Sequence, residues 1–155
     1  MIRTMELHWV FKSFAELTNQ ELYALLRLRS EVFVVEQNCV FLDMDDKDAH
    51  CHHLMGYHQN VLVAYTRIVP KGIAYSDYVS IGRVVTSPQA RGEGAGKQLM
   101  EESIARTISL YGNNTIKIGA QLYLKKFYES FGFVQSGDVY DEDGIDHIPM
   151  LRMAT

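Results

Sequence analysis

The sequence predicts a mixed α/β fold: a sheet with helices packed on it and no regular βαβ alternation. Three observations carry that prediction. Short runs such as residues 61–69 and 78–86 alternate like strands. Two longer stretches place apolar residues at helical spacing behind clear start signals, the box Thr18-Asn19-Gln20-Glu21 and the glycines at 92, 94 and 96. Turn signals at His58-Gln59-Asn60 and Glu142-Asp143-Gly144 join neighbouring strands as hairpins.

In chain order, residues 6–11 read as a first strand. The box at Thr18 opens a helix running to about Phe33, with Leu22, Leu25, Leu26, Val32 and Phe33 on one face. Arg29 shares that face, so its head either snorkels to water or is buried against a carboxylate, with Glu36 and the acids of residues 43–48 as partners. Residues 52–57 and 61–69 form a hairpin. Residues 78–86 make a strand with Ile81, Arg83 and Val85 on one face, and Gly82 marks a bulge or close approach. Pro88 ends it. A helix from about Gly94 to Tyr111 turns Leu99, Met100, Ser103, Ile104, Thr107, Ile108 and Tyr111 inward and closes at Gly112-Asn113-Asn114. A buried strand (115–120), a helix (122–131) and two strands (133–140 and 147–153) complete the chain.

The 155 residues, 47% hydrophobic and 22% charged, suit one soluble domain spanning 1–155. No stretch approaches the ~20 apolar residues of a membrane span. The N-terminal residues lack a secretory core, so a cytoplasmic location is expected. A net charge of −4 without a basic stripe argues against nucleic acid. Cys39 and Cys51 read as free thiols. Cys51 among His50, His52 and His53 does not make a zinc site, because neighbours on a strand point to opposite faces. An EF-hand register from Asp43 puts Asp48 where glycine is needed and Leu54 where glutamate is needed, so no metal is expected. The acids of 43–48 and 138–146 are either solvated loops or an acidic mouth for a cation, opposite a basic corner at Arg91, Lys97, Lys125 and Lys126.

ARGEGAGKQ, residues 90–98, is the sharpest local feature. As a nucleotide P-loop it puts Arg91 at the first glycine and Gln98 at the hydroxyl. As a dinucleotide fingerprint it puts Lys97 or Leu99 at the third glycine. What fits is Arg91-x-x-Gly94-x-Gly96, a turn of inward N–H groups running into a helix N-terminus, suited to a diphosphate.

With that loop, LRSEVFVVEQNC (28–39), IGRVVTSPQARGEGAGKQLM (81–100), GAQLYLKKFYESFGFV (119–134) and YDEDGIDHIPM (140–150) make the chain resemble the GNAT superfamily of N-acetyltransferases, in its ElaA-like branch. Asp146 departs from the branch, which usually has proline there. The resemblance implies a mostly antiparallel twisted sheet with a splayed central strand pair, flanked by about four helices. It implies acetyl-CoA as co-substrate, a small-molecule or peptide amine as acceptor, and it allows a homodimer. Val84, Val85 and Thr86 would meet the pantetheine arm, with Val85 N–H facing the thioester oxygen; Arg91, Gly92, Glu93, Gly94, Ala95, Gly96 and Lys97 would hold the diphosphate. Tyr128 matches the family's proton donor to the leaving thiolate.

The remaining assignments are less direct. An attacking amine must lose a proton, and Glu36 or His147 could take it. Gln121 ends a buried strand and could bond cofactor or acceptor. Arg29, Arg83 and His147 are candidates for acceptor binding. No cysteine is expected to carry an acyl group. Two other readings stay open: a module that binds acetyl-CoA without turnover, and, from the Arg29-to-Phe33 R-x-x-x-F pattern, an acyltransferase using longer acyl donors as acyl-homoserine-lactone synthases do.

Overall fold

The computed structural model describes residues 4–155; residues 1–3 of the expected domain lie outside the described residues. Its eight strands are β1 (His8–Ser13), β2 (His52–His58), β3 (Val61–Val69), β4 (Val79–Thr86), β5 (Ile116–Gln121), β6 (Phe133–Gln135), β7 (Tyr140–Glu142) and β8 (Ile145–Arg152). They form one sheet in the order β1-β2-β3-β4-β5-β8-β6, with β7 also paired to β8. Every pairing is antiparallel except β4 with β5.

Helix α1 (Asn19–Arg29) starts as its box requires: Thr18 Oγ1 accepts from Glu21 N–H at 3.1 Å while Glu21 Oε1 accepts from Thr18 N–H at 2.8 Å. The chain does not stop near Phe33. It continues as wider π-type turns through Ser30–Glu36 and ends at Asn38, whose φ is 49°. Helix α2 (Ala95–Tyr111) is preceded by Gly94 at φ 78° and closed by Gly112 at φ 88°. The last helical segment is shorter than expected, a 3₁₀ turn at Leu122–Leu124 leading into α3 (Lys125–Glu129).

Helix α1 packs Leu25 and Leu28, and its π-type continuation packs Val32, against Met55, Tyr65 and Val85. Met100 and Ile104 of α2 and Tyr128 of α3 pack with Ile68, Ile81, Ile116 and Ile148 of the sheet. The hairpin turn between β2 and β3 holds Gln59 and Asn60 at φ 48° and 66°, and Asp143 and Gly144 repeat that conformation between β7 and β8.

Three local expectations are corrected. The first strand begins at His8, two residues late. The strand expected over 133–140 is two, β6 and β7. Pro149 of β8 accepts a bond from Ser136 N–H at 2.8 Å but has no N–H to return, so the ladder lapses there. In β4 the irregular residue is Arg83 rather than Gly82. The β3–β4 register slips between Tyr65 and Arg67, opposite an Arg83 at φ 51°. This bulge also breaks the expected alternation, since Ile81 and Val84 pack on the α2 side whereas Val85 packs under α1.

Candidate active site

β4 and β5 lie side by side only at Val79 with Ile116 and Ser80 with Lys117. Beyond Ser80 they part. From Ile81 onward the edge of β4 facing β5 has no strand partner, and a cavity of about 750 Å³ opens between residues 81–86 on one wall and Ile118, Gly119 and Gln121 on the other. That size suits an extended small-molecule ligand. Unpaired backbone groups along such an edge are what an added strand or a strand-like ligand uses.

The ladder fixes which groups face the gap. Ser87 N–H donates to Val63 O at 2.7 Å, so alternation turns the Val85 amide, two residues earlier, toward β3 as well. Thr86 and Val84 then face the cavity, and Thr86 O is met there by Arg91 Nη2 at 3.3 Å. The N–H expected to point from Val85 at a thioester oxygen is therefore committed to the sheet.

At one end of the cavity the loop 91–97 enters α2. Gly92 and Gly94 take φ 82° and 78°, a conformation that side chains with a Cβ resist. The first intrahelical bond runs from Gln98 N–H to Gly94 O at 3.1 Å, which leaves the N–H groups of Ala95, Gly96 and Lys97 without helical acceptors. Met5 N–H donates to Glu93 O and Gln98 Nε2 to Met5 O, so the N-terminal strand lead-in braces this turn. Arg91 grips Glu36 with both Nη atoms, at 2.8 and 2.6 Å. That bond holds the Glu36 carboxyl below the usual carboxylate range and raises Arg91. The diphosphate cradle expected of residues 91–97 fits these amides, with Glu36 as the counter-ion of Arg91.

Tyr128, only 5% exposed, lines the same cavity. Its hydroxyl has no hydrogen-bond partner among the described residues, and burial pushes its pKa up, so it stays protonated. Gln121 also lines the cavity, its amide 3.4 Å from that of Gln37. His147 is buried at the mouth, with Nδ1 2.8 Å from Ile145 O and Nε2 3.2 Å from Glu142.

Arg29 is in none of this. It is fully buried, with Nε 2.9 Å from Asp43 and Nη1 2.8 Å from Asp48, and it does not line the cavity. Of its two sequence readings the buried ion pair holds, which removes Arg29 as an acceptor-binding group. Arg83 reaches the cavity but is bonded to Asp43 at 2.9 Å and to Asp45 at 3.4 Å. Arg67 pairs with Asp45 and Asp48. Burial pushes the Asp45 carboxyl up, but Arg67 and then Arg83 outweigh it and leave it well below the usual range. Asp43, Asp45 and Asp48 are thus spent on three arginines and are not a free acidic mouth, and of the acids at 43–48 only the exposed Asp46 pairs with none of them. Among the described residues no cluster of metal ligands is found; Cys51 Sγ bonds Lys47 O, and His53 bridges Tyr65 Oη and Asp48 O.

The sequence reading missed Phe33, Gln37, Cys39, Phe41, Leu42, Tyr123 and Phe127 as lining residues. Cys39 lines the cavity as a free thiol whose Sγ donates to Asp143 O at 3.1 Å. The usable signal was the helix overrun to Glu36, hidden because Val32, Val34 and Val35 are β-branched and read as strand formers.

A family model described as an acetyltransferase (GNAT) domain matches residues 18–153. The chain is 43% identical to protein ElaA of Escherichia coli K12 over 154 residues, covering 98% of this chain and 97% of that one. A crystal structure of Escherichia coli ElaA superposes with a TM-score of 0.88 at 41% identity, covering 95% and 99%. A Pseudomonas aeruginosa structure described as an acyl-CoA N-acyltransferase gives the same TM-score at 43% identity, also covering 95% and 99%. A parted strand pair, a glycine-rich helix entry beside it and these matches along nearly the whole length agree: the chain belongs to the GNAT acetyltransferase family, and its relatives are of the ElaA type.

Proposed function

We propose that this protein is an acetyl-CoA-dependent N-acetyltransferase that passes the acetyl group directly to a primary amine of a small molecule or peptide. The single observation that carries the reading is the parting of β4 from β5 after Ser80, with the bare amides of Ala95, Gly96 and Lys97 at one end and the Tyr128 hydroxyl inside. The likeness to a Pseudomonas aeruginosa acyl-CoA N-acyltransferase supports the donor class. The thioester brings an acyl carbon open to attack by an amine.

The chain's own groups divide the remaining work. The loop 91–97 and the positive end of α2 hold a diphosphate, and Arg91 exchanges Glu36 for it. The free edge at Val84 and Thr86 aligns the pantetheine arm as an extra strand. Val84 N–H is the donor to the oxygen on which negative charge develops, a contact worth about 10²–10³ in rate. Tyr128 gives its proton to the departing thiolate. His147, whose Nε2 lies 3.2 Å from Glu142, takes the proton of the incoming amine. Glu36 serves as the counter-ion of Arg91 until the diphosphate takes its place.

Release of CoA thiol on mixing with a panel of amines tests the reading. Tyr128→Phe keeps the ring and the packing, so kcat should fall about 10²-fold or more while CoA affinity holds. Undiminished kcat would remove Tyr128 from the chemistry. Saturable CoA binding without thiol release from any amine would leave a binding module instead.

A further inference from the structure

The cations of the cavity are all matched. Arg91 is held by Glu36 through two bonds, and Arg83 by Asp43 and Asp45. Arg29 and Arg67, neither of which lines the cavity, are consumed by Asp43, Asp45 and Asp48. No lysine lines the cavity. Among the residues that line the cavity, therefore, no free guanidinium or ammonium remains to receive a carboxylate.

The anions are in excess. Glu142 and Asp143, on the turn between β7 and β8, line the mouth; the Asp143 carboxylate has no partner among the described residues, and Glu142 meets only His147. A diphosphate drawing Arg91 away would free Glu36 as well. An acidic turn by itself would be ordinary solvated surface. Here it borders a cavity that is also lined by Tyr128, 5% exposed and with no partner for its hydroxyl among the described residues. Phe41, Leu42 and Ile145 supply apolar lining to the same cavity.

We infer that the acceptor is a cationic primary amine that carries no free carboxylate: an alkyl- or arylalkyl-amine, not an amino acid. It enters as an ammonium ion drawn by Glu142 and Asp143, yields its proton to His147 and lays its apolar body along Phe41 and Leu42. A neighbouring carboxylate would face those two acids with no cation to offset it. The inference rests on the transferase reading only for the location of the acceptor.

Two matched pairs test it, each differing by one carboxylate: phenylethylamine against phenylalanine, and cadaverine against lysine. Each is titrated calorimetrically into the CoA-saturated protein. Both decarboxylated amines should bind at least about 10-fold tighter than their amino acids, since one unscreened charge contact near a surface is worth that much. The variant carrying Glu142→Gln and Asp143→Asn, the latter suited to the positive φ at that position, should bring the ratio within about 3-fold. Equal or tighter binding of the amino acids, no binding of either amine, or a ratio indifferent to the double variant would each overturn it. Thiol release from acetyl-CoA separates the two claims: amine selectivity without release sinks the transferase reading alone, and release with amino acids preferred sinks this inference alone.

Discussion

Gly94 and Arg83 both hold a left-handed backbone beside the cavity, at φ 78° and 51°, for different reasons. Gly94 does so at no steric cost, and the spacing Arg91-x-x-Gly94-x-Gly96 announced it. Only Thr4 Cγ2, at 3.7 Å, would meet a Cβ there, so Gly94→Ala is penalised through the backbone and not by a clash. A cost of about 1–2 kcal/mol follows, lowering Tm by roughly 2–8 °C for a chain of this size. A melting curve checks it; an unchanged Tm would show that the turn is not held left-handed. Arg83 was not legible in this way. Glycine's freedom drew attention to Gly82, whereas the irregular residue is fixed by its side chain, whose Nε donates to Asp43 at 2.9 Å and whose Nη2 donates to Asp43 O at 2.8 Å, forty positions away. Local patterns do not contain a partner that distant.

The elements divide along the same line. The hairpin of β2 and β3, the box at the start of α1 and the glycine-flanked α2 follow from period and caps, and the sequence displays all of them. What it does not display is set by contact between elements: the lapse between β6 and β7 opposite Pro149, and the loop following α1 that is drawn onto β4. That loop is clamped by Asp43, whose carboxylate spans Arg29 of α1 and Arg83 of the bulge. Asp43→Ala would leave a fully buried guanidinium with Asp48 alone, a loss of about 3–5 kcal/mol. It would also free the bulge that turns Val84 toward the cavity. Urea unfolding should show the first effect. The second should appear as a lower kcat with little change in CoA affinity, because the diphosphate loop lies on another element. A loss of less than about 1 kcal/mol would mean that the arginine network is not what fastens the loop.

Across the whole molecule, buried charge makes stability depend on pH in a defined direction. Burial lowers the pKa of His53 below its ordinary 6.5, so as pH falls through that value the unfolded chain gains a proton that the folded one refuses. Its contribution is complete above pH 6.5 and lost below. Asp45 and Asp48 are lowered from 3.8 by their arginines, despite burial, so their contribution is complete above that pH and lost as pH falls through it. Tm should decline in two stages on acidification, one beginning near pH 6.5 and a steeper one below about 4. A Tm that rises between pH 6.5 and 5 would contradict the burial of a neutral His53.

The sheet's parting between β4 and β5 organises everything assigned to the cavity, and the family resemblance in the sequence anticipated it, since no local pattern records where two strands diverge. Calorimetric titration of CoA into the folded protein measures that assignment most directly. Saturable binding at one site per chain, weakened in Gly94→Ala, is the predicted result. Folded protein that takes up no CoA at any concentration reached would contradict it.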